Sequence, residues 1–539
     1  MKTTLNAFKP WCFENRSLVL ALILACTLSI IGGNWGRVEC WNLDNMAFLN
    51  VKPNGLAQNY LKPPLHTYLN HILVMKPVEA ARCMLGLEHN WQYPLQLAGA
   101  RLITLGLFCG AIILLYRIAK RFSGSRGAGA VALIAATSAG LIKFNHFGTA
   151  DSPLLFWMLA SFGMALIAAK SGRSRDAFLA GILAGLATAD KYNGLGVAIA
   201  IPAVLVAARG WKSLFSRQCW LGGLGVPLGF IMGNPGAVLD TRNFVQDFLY
   251  NLYTTPVYSG KTTGSGYLDF LGCFPELIGW PATILVGVGV LGTIFALWQR
   301  RLSGDEVSLL AAATTVFLFY FVTIGRFPRM ADRFVLPSVP FILLMATPYL
   351  TRIPWNRIGP AAAMFLILAY NVFCSVEVGL RFLSDPRMKA QEFALKNFPK
   401  GATIENSYAP YWNRLPGLNV TVHLMPYVTG RSDMFTKIFG QNEAIQAGLG
   451  KHESSSYPAD TFTKAGLEKR RPDFISFSNQ VYQFTPDEQA QLFYRSLDNG
   501  QLGYVKVFER KWRPKLPYTY PRDIDFLAER VVILKRNSD

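Results

Sequence analysis

Charge is scarce in this chain. Asp, Glu, Lys and Arg make up 16% of its 539 residues, while 51% are hydrophobic. That balance, with the apolar residues clustered, excludes a soluble protein of this size. Acid is scarcer than base: 33 Asp and Glu stand against 53 Lys and Arg, a net charge of +20. The positive charge is scattered, without the basic patch that a nucleic-acid surface needs, so no nucleic-acid partner is expected. No C-x-x-C or H-E-x-x-H pattern occurs. Nothing therefore points to structural zinc or to another cofactor, and a divalent metal has no ligand pattern to support it. The chain beyond residue 380 lacks cysteine and folds without a disulfide scaffold. No convincing internal repeat is visible of the kind many transporters carry.

What the sequence does have is apolar spans. Ser17 to Gly36 carries no charge and is flanked by Arg16 and Arg37, about the 20 residues that a bilayer-crossing helix needs. It is longer than a signal-peptide core and no A-x-A cleavage pattern follows, so it reads as an uncleaved anchor. Further spans fall at 94–116, 127–143, 152–169, 177–190, 194–208, 218–236, 276–298, 307–324, 334–350 and 358–379. That makes about eleven. With a cytoplasmic N-terminus every inside loop is basic: Arg117 to Arg126, Lys170 to Arg175, Arg209 to Arg217, Arg300 and Arg301, and Arg352 and Arg357. An odd span count then puts the C-terminal segment outside. The expectation is a mostly α, polytopic transmembrane helical bundle over 1–380, with outer loops at 37–93 and 240–275. An extracytoplasmic α/β domain follows over 381–539.

In that domain "DPRMKAQEFALKNFP" reads as a helix ended by Pro399, and "TIENSY", "VTVHLM", "DFISFS", "YVKVFE" and "RVVILKR" read as strands. In the second outer loop, "YSGKTTGSGY" reads as mobile. Cys40 and Cys83 share the first outer loop. They either pair in an oxidising compartment or stay as free buried thiols.

The informative residues are ionisable groups at the outer ends of spans, where a charge is expensive and usually marks a site, a pair or a snorkelling side chain. The first loop brings Glu39, Asp44 and Lys62, the last within "NYLKPPLHTYL". "KFNHFGTADSPLLFW" brings His146 and Asp151, "LATADKYNGLG" brings Asp190, Lys191 and Tyr192, and "GRFPRMADRFVLPSVP" brings Arg326, Arg329, Asp332 and Arg333. Arg101 sits two turns inside the second span. By the assigned topology all of these share one face of the membrane. Carboxylates there can take protons or orient hydroxyls. Lysine and arginine at the same depth can hold a departing anion where water is scarce. Such a set above an apolar groove suits a substrate with a phosphate head and a lipid tail, and the two prolines after Lys62 stiffen its backbone.

On this reading Asp44 and Asp151 are the catalytic candidates. Lys62, Arg333, Lys191 and Arg101 are candidates for the donor phosphate, and Tyr192, His146 and Glu39 are further substrate-binding candidates. Plainer readings stand beside these. Asp151 also suits a helix N-terminus, Lys62 an interfacial snorkel, and Arg101 the capping of a carbonyl. Arg333 also suits a structural role, and Glu39 a solvated loop. His66 and His146 lie near the cluster without making a metal site.

At these residues the chain resembles the polytopic glycosyltransferases of the GT-C fold. More closely, it resembles bacterial relatives of the dolichyl-phosphate-mannose protein mannosyltransferases and the lipid A aminoarabinose transferases. Those families place an Asp-Glu pair after the first span, a "KPPL" run before the second and an Asp at the head of the fourth. Here Asp44 with Asn45, Lys62-Pro63-Pro64-Leu65 and Asp151 match. "ADKYNGLG", "RFVLPSVP" and "GNPGAVLD" are also similar, and the likeness runs over 17–380 and into "SDPRMKAQEFA".

The resemblance implies inverting transfer of a sugar from a polyprenyl-phosphate donor to a lipid, glycan or protein acceptor. The reaction would lie at the periplasmic face of a bacterial inner membrane, amid membrane lipids. Asp44 would be the base, Lys62 a donor-phosphate contact and Asp151 an assisting acid. Asn45 departs from the usual Glu of the pair. Leu61 stands where aminoarabinose transferases carry Glu, which weighs against a metal there and against that sugar. A transporter or flippase for an anionic lipid is the alternative from another class, and a non-catalytic sugar-lipid-binding component a third.

Overall fold

The computed structural model describes residues 15–36, 51–52, 54–57, 59–86, 92–258, 265–327, 330–399, 401–407, 420–423, 460–479, 488–513, 527 and 530–537. They form two compact units. One holds the described residues up to Gly33 and from 51 to Gly379; the other holds Asn34–Gly36 and the described residues from Leu380 onward.

The first unit is helical. Seven of its helices are long and apolar enough to cross a bilayer, and a bent pair makes an eighth. Three shorter helices occupy the remaining span positions. In chain order these are α1 Arg16–Ile30, α2 Gln92–Phe122, and α3, the pair Ser125–Thr137 and Ala139–Asn145 bent by 56°. There follow α4 Asp151–Ser171, α5 Ser174–Asp190, α6 Tyr192–Arg209 with a 3-10 first half, and α7 Arg217–Gly233. The series closes with α8 Trp280–Trp298, α9 Gly304–Ile324, α10 Asp332–Arg352 and α11 Ile358–Leu383. A helix therefore lies at each expected position, and the chain is an integral membrane protein. Large apolar side chains left exposed on these helices, such as Ile284, Leu291, Phe365 and Leu366, suit a hydrocarbon surround.

Within a bilayer, helices gain little from apolar burial and associate through close packing. α5 and α7 show how this sequence achieves it. Gly181 faces the Gly222 carbonyl, Gly185 that of Val226, and Gly229 that of Ile182, each so close that an added Cβ would strike backbone. The contact fixes the end of α5, and so Asp190 and Lys191. At the opposite end of the bundle, Ser303 and Glu306 form a capping box that starts α9, and Arg352 reaches Glu306 at 2.7 Å.

The outer loops contain more helix than the sequence analysis expected. Thr241–Tyr258 and Gly266–Ile278 are helical, as are Leu65–Asn70 and Lys76–Leu85. Residues 259–264 of the tract read as mobile lie outside the described residues. Cys83 is a free, exposed thiol, and Cys40 lies outside the described residues.

The second unit is a mixed sheet with helices on both faces. β1 Ile404–Ser407, β2 Val420–His423, β3 Phe474–Ser478, β4 Tyr504–Lys511 and β5 Arg530–Arg536 run in the order β2-β1-β3-β5-β4. All five expected strands are present, as is the expected helix α12, Pro386–Asn397. The period of two in a strand sends alternate residues to opposite faces. Phe474, Val531 and Ile533 pack with Ala390 and Ala394 of α12. Ile475, Phe477, Val532 and Leu534 pack with Leu467 of α13, Lys464–Arg470, and with Phe493 and Leu497 of α14, Glu488–Asp498. Trp35 belongs to this unit: its Nε1–H donates to Asp385 Oδ2 at 2.8 Å, and Arg387, buried with Asp385, pairs with that carboxylate at 2.6 Å.

Gly229→Leu is expected to destabilise the first unit by about 1–3 kcal/mol or more. Gly223→Leu on the same helix, where nothing lies within 4 Å of an added Cβ, should stay near wild type. Thermal unfolding of both variants in detergent checks this.

Candidate active site

The segment Asn59–Leu65 explains how a lysine is held at the end of a span. It has no helix of its own until Leu65, so its backbone groups need partners from elsewhere. The Tyr60 N–H donates to Asp247 Oδ2 at 2.7 Å. Its carbonyl accepts from the Tyr192 hydroxyl at 2.6 Å, and the Leu61 carbonyl accepts from Asn251 Nδ2 at 2.5 Å. Asp247 and Asn251 lie four residues apart on Thr241–Tyr258, hence on one helix face. The Tyr60 hydroxyl adds a bond to Asp240, which also takes Lys52 at 2.9 Å. Pro63, Pro64 and Leu65 are buried, while Lys62 between them and the pinned pair is exposed.

A second anchor joins this segment to the start of α4. His66 Nε2 lies 3.0 Å from the Gly148 carbonyl. Gly148 has φ +65, a left-handed turn that a side chain would strain, and it leads through Thr149 to Asp151 in the first turn of α4. Both Asp151 oxygens are engaged. Lys191 Nζ sits 2.5 Å from Oδ1, and the Thr149 hydroxyl donates to Oδ2 at 2.9 Å. Lys191 directly precedes Tyr192, whose hydroxyl holds Tyr60. Lys62's segment, Asp151, Lys191 and Tyr192 thus form one connected group.

Arg333 joins it from the start of α10. It is half-buried, its guanidinium lies 5.6 Å from the Phe334 ring, and its charge acts on Asp151. The preceding Asp332 is ion-paired in the interior with Lys143 of α3. Arg101 and His146 reach the chain that leaves α1, and Arg101 also lies against Gly148, where an added Cβ would sit 3.5 Å from its Cγ. Arg101 Nη1 donates to the Gly33 carbonyl at 2.6 Å, and His146 Nε2 lies 2.6 Å from the Ile31 carbonyl, with Nδ1 3.1 Å from that of Ile142. Both hold the chain that leaves α1 against α2 and α3, so the carbonyl-capping reading of Arg101 has its observed partner. Asp44, Glu39 and Arg329 lie outside the described residues.

Individually, Tyr60, Lys143, Asp240, Asp247 and Asn251 carry no mark in the sequence that singles them out, and Asp190 has none that gives it a role. The four-residue spacing of Asp247 and Asn251 is the available signal, and it lies in a segment read as an outer loop, where no helix was expected. Among the described residues, no three His, Cys, Asp or Glu come together in a way that fits a metal ion.

Against known proteins, the model of the dolichyl-phosphate-mannose-protein mannosyltransferase family matches residues 97–233, from α2 to the end of α7. That stretch holds Arg101, Asp151 and Lys191 and leaves out Lys62 and Arg333. No curated protein matches the chain in sequence. Among solved structures, ArnT from Cupriavidus metallidurans bound to undecaprenyl phosphate is similar with a TM-score of 0.52 at 14% identity, covering 96% of this chain and 97% of that one. The apo state of the same ArnT gives 0.51 at 15% identity, covering 98% of each chain. The apo oligosaccharyltransferase of Archaeoglobus fulgidus gives 0.48 at 14% identity, over 94% of this chain and 75% of that one. The fold is that of the GT-C glycosyltransferases, as the resemblance implied.

Burial pushes the His66 imidazole down to about 4, the Gly148 carbonyl and the Asp151 charge offsetting part of that effect. The unfolded chain then binds a proton that the folded chain does not, so the contribution is complete above about 6.5 and is lost as pH falls toward 4. Protonating His66 in place costs on the order of 3 kcal/mol. Stability measured from pH 7 to pH 4 should therefore fall more steeply in wild type than in His66→Gln.

Proposed function

We propose that this protein is a membrane glycosyltransferase that moves a sugar from a polyprenyl-phosphate donor to a hydroxyl-bearing acceptor, with inversion. Its reaction lies at the extracytoplasmic face of a bacterial inner membrane, and its N-terminus is in the cytoplasm. One observation carries the reading: within a GT-C bundle, the held Lys62 segment and Arg333 flank the Asp151–Lys191 pair at a common end of the helices. The basic loops at the other ends support the orientation. The partial match to a mannosyltransferase family, and a solved structure of the same fold bound to undecaprenyl phosphate, support the donor class.

In the proposed step, an acceptor oxygen forms a bond to the anomeric carbon from the face opposite the phosphate. The bond from that carbon to the phosphate oxygen breaks, and its electron pair leaves on polyprenyl phosphate. Asp44 takes the acceptor proton. Lys62 and Arg333 neutralise the leaving phosphate, where low water content strengthens their effect. Lys191, as counter-ion of Asp151, holds that acid ionised and oriented toward sugar or acceptor hydroxyls. It remains close enough to share the developing phosphate charge. The acceptor is a lipid, a glycan or a protein.

Purified protein given polyprenyl-phosphate sugars should release polyprenyl phosphate only when an acceptor is present. Asp44→Asn should abolish release while leaving a folded, membrane-inserted protein, and near-normal turnover would remove it as base. Lys62→Ala should raise the donor KM about tenfold or more, the loss expected for one charge-assisted contact. An unchanged donor dependence takes Lys62 out of the site.

A further inference from the structure

Beside Asp151 lies a polar junction with no role in the mechanism above. Leu65, Ala189 and Gly233 meet there: a Cβ added to Gly233 would sit 2.5 Å from the Ala189 Cβ and 3.5 Å from Leu65 Cδ1. The next residue along each of these segments is polar and sealed. His66, Asp190 and Asn234 are 6%, 1% and 0% exposed. Asn70, one turn beyond His66, is equally buried and donates through Nδ2 to the His66 carbonyl at 3.0 Å.

These side chains have hydrogen-bonding capacity left over. His66 Nδ1, Asn70 Oδ1, both oxygens of Asp190, and both Oδ1 and Nδ2 of Asn234 are buried without a hydrogen-bond partner. Because His66 Nε2 carries the hydrogen given to Gly148, its Nδ1 is a lone pair. Acceptors are therefore in excess over donors at the junction. A buried acceptor that no donor reaches costs about 1–3 kcal/mol, and native proteins keep few of them. The charge of Asp151 acts on both His66 and Asp190, which places the junction beside the acid of the proposed site. His66 is four residues from Lys62, within about 14 Å even for a fully extended chain.

We infer that this junction is the subsite for the donor's sugar, and that Asp190 with His66, Asn70 and Asn234 reads its hydroxyls. The inference rests on the glycosyltransferase reading above. The chemistry selects among the parts of a lipid-linked sugar. A phosphate brings acceptors to a place already rich in them, and belongs at Lys62. A prenyl tail would leave every acceptor unmet. A sugar ring brings several O–H groups, and the two oxygens of Asp190 can bond neighbouring hydroxyls at once. Leu65, the first helical residue after the segment that carries Lys62, packs beside Gly233, so the junction adjoins the segment proposed to meet the donor phosphate. Enclosure from bulk water also protects a glycosyl donor from hydrolysis.

The test is donor selectivity, which a structural role would not move. Wild type, Asp190→Asn and Asn234→Asp are compared on polyprenyl-phosphate sugars that differ by the configuration or absence of one hydroxyl, with released polyprenyl phosphate giving kcat/KM. A site built to bond a hydroxyl discriminates strongly against its absence. The ratio between the preferred donor and one deoxy analogue should therefore shift about tenfold or more in Asp190→Asn. If every donor slows by the same factor, the junction is structural or holds only water, and the subsite is overturned. Should Asp190→Asn not be recovered folded, the same ratio in Asn234→Asp decides. A wild type that releases polyprenyl phosphate from no donor sinks the transfer reading as well, whereas an active wild type with unchanged ratios in the variants sinks the subsite alone.

Discussion

The peptide groups of Tyr60 and Leu61 are the point on which the candidate site depends. Helix Thr241–Tyr258 supplies Asp247 and Asn251, α6 supplies Tyr192, and all three bond to this one short stretch of backbone. Backbone groups outside a helix need partners, and at a membrane interface water is an unreliable one. Meeting that need from two distant parts of the chain turns an irregular loop into a fixed mount. The prolines at 63 and 64 limit how the mount can bend on its far side. Lys62 therefore projects from a stiff base although its own side chain is exposed.

Two buried carboxylates of this unit, Asp151 and Asp332, are accommodated by pairing. Asp151 with Lys191, and Asp332 with Lys143, are ion pairs within the helical bundle. Such pairs seldom add net stability over well-packed apolar residues, but losing one partner is costly. What they contribute here is placement. Each joins elements far apart in sequence, and each adjoins a residue of the candidate site: Tyr192 follows Lys191, and Arg333 follows Asp332. The glycine contacts between α5 and α7 act on the same place from behind, because they fix the end of the helix from which Lys191 emerges.

Much of this was legible in the sequence, for physical reasons that differ by element. Spans are easy to read because a bilayer demands long apolar runs. Helices as short as α1, α5 and α7 were still found, since basic residues adjoin one end of each. The strands of the second unit stood out through β-branched and aromatic alternation. Lys62, Asp151, Lys191 and Tyr192 were grouped from topology, and hydrogen bonds link Tyr192 to the segment that carries Lys62 and Lys191 to Asp151. The scaffold behind them was hidden. Asp247 and Asn251 lie in a helix whose aromatic and polar residues resemble a loop. Lys143 is a cation inside a predicted span, and its partner Asp332 is 189 residues away. Asp190 looked like part of a hairpin turn, because only three-dimensional contact sets the adjoining Ala189 beside Gly233 and Leu65.

Trp35 carries a consequence for how the protein can be divided. Among the described residues, the sheet unit takes in 34–36 from just after α1, and there the indole donates to Asp385 beside Arg387. A fragment cut at the end of α11 would keep the carboxylate and the guanidinium but lose the ring that covers them. The sheet unit is thus not a detachable appendage but a body closed by a piece of chain made hundreds of residues earlier. During synthesis, that piece must wait for the whole bundle to be threaded before its binding place exists.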